Sequence, residues 1–238
     1  MRPTALAGRG TAALLVAHAV PLASVVAPLR RRWLPGLAGT GAPGRVALTF
    51  DDGPDPASTP AFLDALDGLG WKATFFMLGS MVRRAPALAA EVEAAGHEVA
   101  VHGDQHRSHI WRSPRDVATD LERSTAAIAE ATGTRPTWFR PPYGHLTTAS
   151  LLAARRSGVR PVLWTTWGRD WRAKATPASV ADDVGRHLCP GGNVLLHDSD
   201  CTSSPDAWRA ALGSLPGLAE LFAAAGLQAG TLGDHGVT

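Results

Sequence analysis

Short apolar runs alternate with longer amphipathic stretches along most of the chain. A β-rich run at 45–50 ends on the acidic turn Asp51-Asp52-Gly53-Pro54, and a helical pattern at 59–69 then leads to an apolar run at 73–77. The same alternation continues with a helix at 86–95 and a strand at 98–101. A long helix at 114–132, with Ser113 as its N-cap and Gly133 as its stop, leads to a strand at 137–139. Further pairs follow at 148–157 and 160–164, 177–188 and 193–196, and 206–225 and 227–230. Strands alternating with helices of this length predict parallel βαβ units, either a barrel or a doubly wound sheet. The polar residues favour the barrel. Asp51 and Asp52 follow the first strand, His102 the third and Arg140 the fourth; Asp170 lies beyond the fifth and His197 ends the sixth. Chemistry spread over the C-terminal ends of many strands marks a (β/α) barrel mouth, whereas a doubly wound sheet gathers it at one switch point.

Upstream of this pattern, residues 11–29 carry no formal charge and are flanked by Arg2 and Arg9 on one side and Arg30, Arg31 and Arg32 on the other. Such a stretch reads as a membrane-associated segment or as a helix packed on the domain, and Pro21 and Pro28 interrupt it. The flanking arginines balance, so they do not set an orientation. Residues 36–44 read as a Gly/Pro linker, which divides the chain into an N-terminal segment, 1–44, and a catalytic body, 45–238.

Composition adds two exclusions. At 45% hydrophobic and 18% charged residues, neither disorder nor a multi-span membrane protein is indicated. The formal charge of +2 conceals five N-terminal arginines with no acid among the first 44 residues, so the body is mildly acidic and nucleic acid is not an expected partner. Two cysteines, Cys189 and Cys201, are too few for a disulfide framework and either pair or stay reduced.

Five fragments carry candidate chemistry. Adjacent carboxylates at a strand end, Asp51 and Asp52, point in different directions, so one can ligate a metal while the other acts as a base; the alternative is a solvated turn. His102 and His106 are four apart just past a strand, and two imidazoles plus a carboxylate make a metal site with open positions. His109 is a competing partner, and surface or capping histidines are the alternative. In Arg140-Pro141-Pro142-Tyr143-Gly144, two prolines stiffen a turn that can hold an arginine and a backbone N–H toward a site. Asp170-Trp171 places an acid among aromatics, and His197 closes the apolar run that contains Leu195; both also suit a packed core.

Taken together, TFDDGP, the H-x-x-x-H pair, RPPYG, Asp-Trp and L-L-H resemble, in order and spacing, the polysaccharide deacetylase family (NodB homology, carbohydrate esterase family 4) over about residues 45–232. The resemblance implies a distorted (β/α) barrel of about seven parallel strands and metal-dependent removal of N-acetyl groups from a carbohydrate. It implies that Asp51 is the general base and that Asp52, His102 and His106 hold a divalent ion, zinc first, with cobalt or nickel as alternatives. It further implies that the Tyr143 N–H stabilises the oxyanion and that His197 protonates the leaving amine. Arg140 would orient Asp51, Asp170 would pair with His197, and Trp171 and Leu195 would wall the acetyl pocket. One departure stands out: the family usually has Ser or Thr after the first metal histidine, and this chain has Gly103, with Asp104 and His109 as candidates to compensate. Trp111 and Trp167 are candidate glycan contacts. The expected protein is a monomer of the cell envelope, membrane-anchored or secreted, with a cytoplasmic location as the alternative. A relative acting on a non-sugar amide or cyclic imide, or a non-catalytic glycan-binding barrel, are the competing functions.

Overall fold

The computed structural model describes residues 18–237. Strand β1 (Arg45–Asp51) is buried along all but its first residue and lies at the centre of the sheet. Around it run β2 (Thr74–Met77), β3 (Glu98–Val101), β4 (Trp138–Phe139), β5 (Arg160–Pro161), β6 (Thr166–Trp167), β7 (Asn193–His197) and β8 (Gln228–Gly230). Their order is β5-β4-β3-β2-β1-β7-β6, with β8 paired to the start of β1, and every pairing is parallel. The fold is thus the expected distorted (β/α) barrel, a curled sheet that stays open between β5 and β6.

Alternation along the strands sorts their side chains into two layers. Val46, Leu48 and Phe50 join Phe75, Val99, Val194 and Leu196 in the main core beneath the helices, where Phe50 packs edge-on against Phe62 at 5.1 Å. Ala47, Phe76 and Ala100 belong to a second cluster with Trp138 and Val162. Asp51 therefore points to the same side as Ala47, and its register partner His197 leaves the neighbouring strand on that side too. The carboxylate and the imidazole meet because parallel strands in register project like positions together.

Several predicted boundaries are reproduced closely. The helix Pro114–Thr132 begins at Ser113, whose hydroxyl accepts from the Asp116 N–H at 3.2 Å, and ends at Gly133 in the left-handed conformation. Other elements differ from expectation, among them a helix at Pro35–Ala38 that enters the expected linker and one at Leu232–His235 after the last strand. A short helix at Gly79–Arg84 lacks the length that makes a helical period legible. The expected strand at 160–164 ends at Pro161, and a separate strand forms at Thr166–Trp167. The reason is that the backbone between them bonds sideways: Leu163 N–H donates to Leu37 O at 2.7 Å, and Leu163 O accepts from Arg140 and Asn193.

Residues before β1 cover this open edge. A 3₁₀ helix at Val20–Val25 and helices at Ala27–Trp33 and Pro35–Ala38 carry Pro21, Pro28 and Pro35 in their first turns, as proline's missing N–H favours. Arg30 is buried, and its guanidinium donates to Ser24 O and Trp164 O, each at 2.5 Å. Among the described residues no helix is long and apolar enough to cross a membrane, and residues 11–17 of the predicted apolar stretch lie outside them. Both cysteines are free.

Candidate active site

Four strands of the open barrel, β1, β3, β4 and β7, deliver polar residues at their C-terminal ends. Asp52, the first residue beyond β1, has a positive φ of 83°, a turn that carries its side chain away from that of Asp51. Its Oδ1 lies 3.5 Å from His102 Nε2 and 3.6 Å from His106 Nε2, and ligand atoms of the three residues fall within 4.8 Å of one another. His102 follows β3, and its Nδ1 sits 2.9 Å from Arg140 O; donation to that carbonyl leaves the Nε2 lone pair facing Asp52. Burial above all holds the His102 pKa down to about 3, against the pull of Asp52, so the ring is neutral near pH 7. His106 sits over Tyr143, with ring centroids 4.4 Å apart.

These residues fit a divalent cation. Asp52 Oδ1 is buried with no hydrogen-bond partner while two imidazole nitrogens converge on it, an arrangement that strands an anion unless a cation completes it. His109, the competing histidine, stands apart: it is buried beside Phe139 with Nδ1 3.0 Å from Ser150 Oγ.

Asp51 faces the same space, its Oδ2 3.6 Å from His102 Nε2. Burial raises its pKa, and Arg140 tempers the rise. Arg140 is fully buried, stacks over Phe76, and donates through Nη1 to Asp51 Oδ1 at 2.6 Å and to Thr49 Oγ1 at 3.0 Å. Opposite stands His197. Burial disfavours its charge, but Asp170, 3.0 Å from Nδ1 and also accepting the His197 backbone N–H at 2.7 Å, acts together with Asp52 and Asp51 to overcome burial and lift the pKa to about 10. The imidazolium thereby presents Nε2–H as a donor.

Between these groups lies a cavity of about 260 Å³. Trp164, Trp167, Trp171 and Leu195 form its apolar wall, with Trp167 and Trp171 in ring contact at 4.8 Å. Tyr143, at φ 60°, sits on its rim. A wider groove of about 860 Å³ shares His106 and Tyr143 with the cavity and is bordered by Trp111, which is 89% exposed.

The catalytic and metal-ligand candidates therefore gather at one rim, while the neighbour of Gly103 is a residue that sequence reasoning missed. Asp104 is engaged with Arg83 at 2.8 Å and His109 with Ser150. It is Asp120, on the helix Pro114–Thr132, that accepts the Asp104 N–H at 2.8 Å and pairs with Arg112. Gly103 has φ +87°, and a Cβ there would lie 2.9 Å from Asp120 Oδ2. Other missed residues are Asp198, which accepts from Gly53 N–H and Thr59 Oγ1, and Thr202, which donates to Asp52. Only the position of Asp198, directly after His197, offered a signal.

A parallel α/β barrel whose rim sets an Asp-His-His cluster between a buried carboxylate and a charged imidazole defines the class of metal-site hydrolases. The sequence model of the polysaccharide deacetylase family matches residues 38–162, and the chain belongs to that family. The match includes Asp51, Asp52, His102, His106 and Arg140 but stops before Asp170 and His197. Among relatives, the peptidoglycan-N-acetylglucosamine deacetylase of Bacillus cereus is 37% identical over 155 residues, 64% of this chain and 72% of that protein. The chitooligosaccharide deacetylase of Sinorhizobium fredii is 37% identical over 162 residues, 68% of this chain and 74% of the relative. A longer relative, the peptidoglycan-N-acetylglucosamine deacetylase of Listeria monocytogenes, is 32% identical over 78% of this chain, which spans 40% of it. Among solved structures, a family 4 carbohydrate esterase from Streptomyces lividans in complex with acetate aligns with a TM-score of 0.71 and 31% identity, covering 79% of this chain and 93% of that one.

Proposed function

We propose that this chain hydrolyses N-acetyl groups on an amino-sugar polymer, peptidoglycan-like or chitin-like, and releases acetate. The observation that carries the reading is the placement of Asp51 and His197 on adjacent strands, flanking Asp52, His102 and His106 across one small apolar-walled cavity. Asp52, His102 and His106 hold the metal, zinc by their donor set. When bound, the ion supplies Lewis acidity to the acetyl carbonyl and to the attacking water.

The remaining steps belong to the protein. Asp51, made more basic by burial, takes a proton from the water as oxygen bonds to the acetyl carbon. Arg140 fixes that carboxylate and limits its basicity. The Tyr143 N–H donates to the tetrahedral oxyanion. His197 then gives its Nε2 proton to the sugar nitrogen as the C–N bond breaks, Asp170 having kept it charged until that moment. Trp171 and Leu195 enclose the acetyl methyl, and the groove beside Trp111 accommodates neighbouring sugars.

The test is acetate release from N-acetylglucosamine oligomers, chitin and peptidoglycan fragments, with and without chelator. Release that chelation abolishes is expected. No acetate from any glycan, together with turnover of a small cyclic imide, would overturn the carbohydrate assignment.

For location we propose the cell envelope, with the chain acting as a monomer. Association with a membrane through residues 11–29 is supported by the exposed Val20, Val25, Val26 and Leu29 and by the exposed Arg31 and Arg32 just beyond them.

A further inference from the structure

The metal ligand Asp52 has two carboxylate oxygens with different fates. Oδ1 faces the two imidazoles and is otherwise unpartnered. Oδ2 accepts a hydrogen bond from Thr202 Oγ1 at 2.5 Å. Thr202 comes from the loop after β7, 150 residues further along the chain. That loop is itself fastened to the turn after β1. Ser199 Oγ donates to Asp55 Oδ2 at 3.0 Å, Ser58 Oγ donates to Asp198 O at 2.5 Å, and Gly53 N–H donates to Asp198 Oδ1 at 3.1 Å. The two loops are thus tied together, and the Thr202 hydroxyl sits at hydrogen-bond distance from Asp52.

A carboxylate can bind a cation through one oxygen or straddle it with both. A donor anchored on one oxygen favours ligation through the other, because it occupies one lone pair of its oxygen, withdraws charge from it and resists rotation of the carboxylate. We infer that Thr202 is a positioning residue for the metal site: it holds Asp52 to single-oxygen ligation through Oδ1 and leaves the other coordination positions to His102, His106, water and substrate. Thr202 also lines the catalytic cavity, so it is placed to couple ligand geometry to the space the acetyl group enters. The inference rests on the metal site proposed above.

The experiment compares purified wild-type protein with Thr202→Val, which keeps the shape and removes the hydroxyl, and Thr202→Ser, which keeps the hydroxyl. Zinc affinity is measured by competition with a chromophoric chelator, and coordination by the visible absorption of the cobalt-substituted protein. Thr202→Val is expected to bind zinc about 10- to 100-fold more weakly, with an altered cobalt spectrum, and Thr202→Ser to match the wild type. Thr202→Ala is run in parallel so that a packing defect peculiar to valine is recognised. Wild-type affinity and spectrum in both Thr202→Val and Thr202→Ala would overturn the inference, as would a Thr202→Ser protein no better than Thr202→Val. A wild-type protein that binds no zinc or cobalt would instead defeat the metal site itself.

Discussion

His102 and His197 face the same cavity and carry opposite charge states. On the side of β1 to β4, His102 gives its Nδ1 hydrogen to a neutral carbonyl, and burial drives its pKa to about 3. On the side of β6 and β7, His197 gives its Nδ1 hydrogen to the Asp170 carboxylate, and its pKa rises to about 10. Burial opposes charge in both rings; at His197 the carboxylates, Asp170 foremost, overcome it, and at His102 the pull of Asp52 does not. One side thus presents lone pairs and the other a proton, so under the proposed roles the two sides should fail differently.

The largest effect tests that separation. Asp52→Ala is expected to lose bound zinc and activity together, whereas His197→Ala should keep its zinc and KM while kcat falls by about 10²- to 10⁴-fold. Metal analysis and steady-state kinetics on both variants check this; equal zinc in Asp52→Ala and wild type would remove the metal side of the comparison. A smaller effect concerns Gly103. Serine there would match the family pattern, yet φ +87° and the nearby Asp120 leave it no room, so Gly103→Ser should destabilise the protein by about 1–3 kcal/mol. Denaturant unfolding decides, and a Gly103→Ser protein as stable as wild type would show that Asp120 yields easily.

The smallest effect sharpens the rule about partners with a third histidine. His97 lies buried before β3, accepts the Ala73 N–H through Nδ1, and is pushed down to about 4, first by burial and then by Lys72. The unfolded chain takes a proton near pH 6.5 and the folded one only near pH 4, so in that window the unfolded state binds more protons and stability falls as pH drops. Melting temperatures from pH 7 to pH 4 should decline less steeply in His97→Asn than in wild type. Identical slopes would mean that His97 takes its proton as readily in the fold as in the unfolded chain.

What was legible in the sequence follows the range of the interactions involved. The strand ends bearing Asp51, His102 and His197 were readable because hydrophobic period and the adjoining polar residue are local. The family pattern then assembled them. The split between β5 and β6 was not readable, because Leu163 bonds to Leu37 and Arg140 rather than to a sheet neighbour. Thr202 and Asp120 were hidden for a related reason: each acts on a residue distant in sequence, and neither stands in a recognisable motif.

The covering of the open edge reaches further than closure. Trp164 is at once the residue whose carbonyl Arg30 holds and a wall of the catalytic cavity. Cutting the chain back to Arg45 would keep every reacting group yet release that carbonyl and the Leu163 N–H from their partners. A recombinant protein trimmed to the motif-bearing body would thus lose the contacts that Arg30 and Leu37 make to the segment carrying this wall of the cavity.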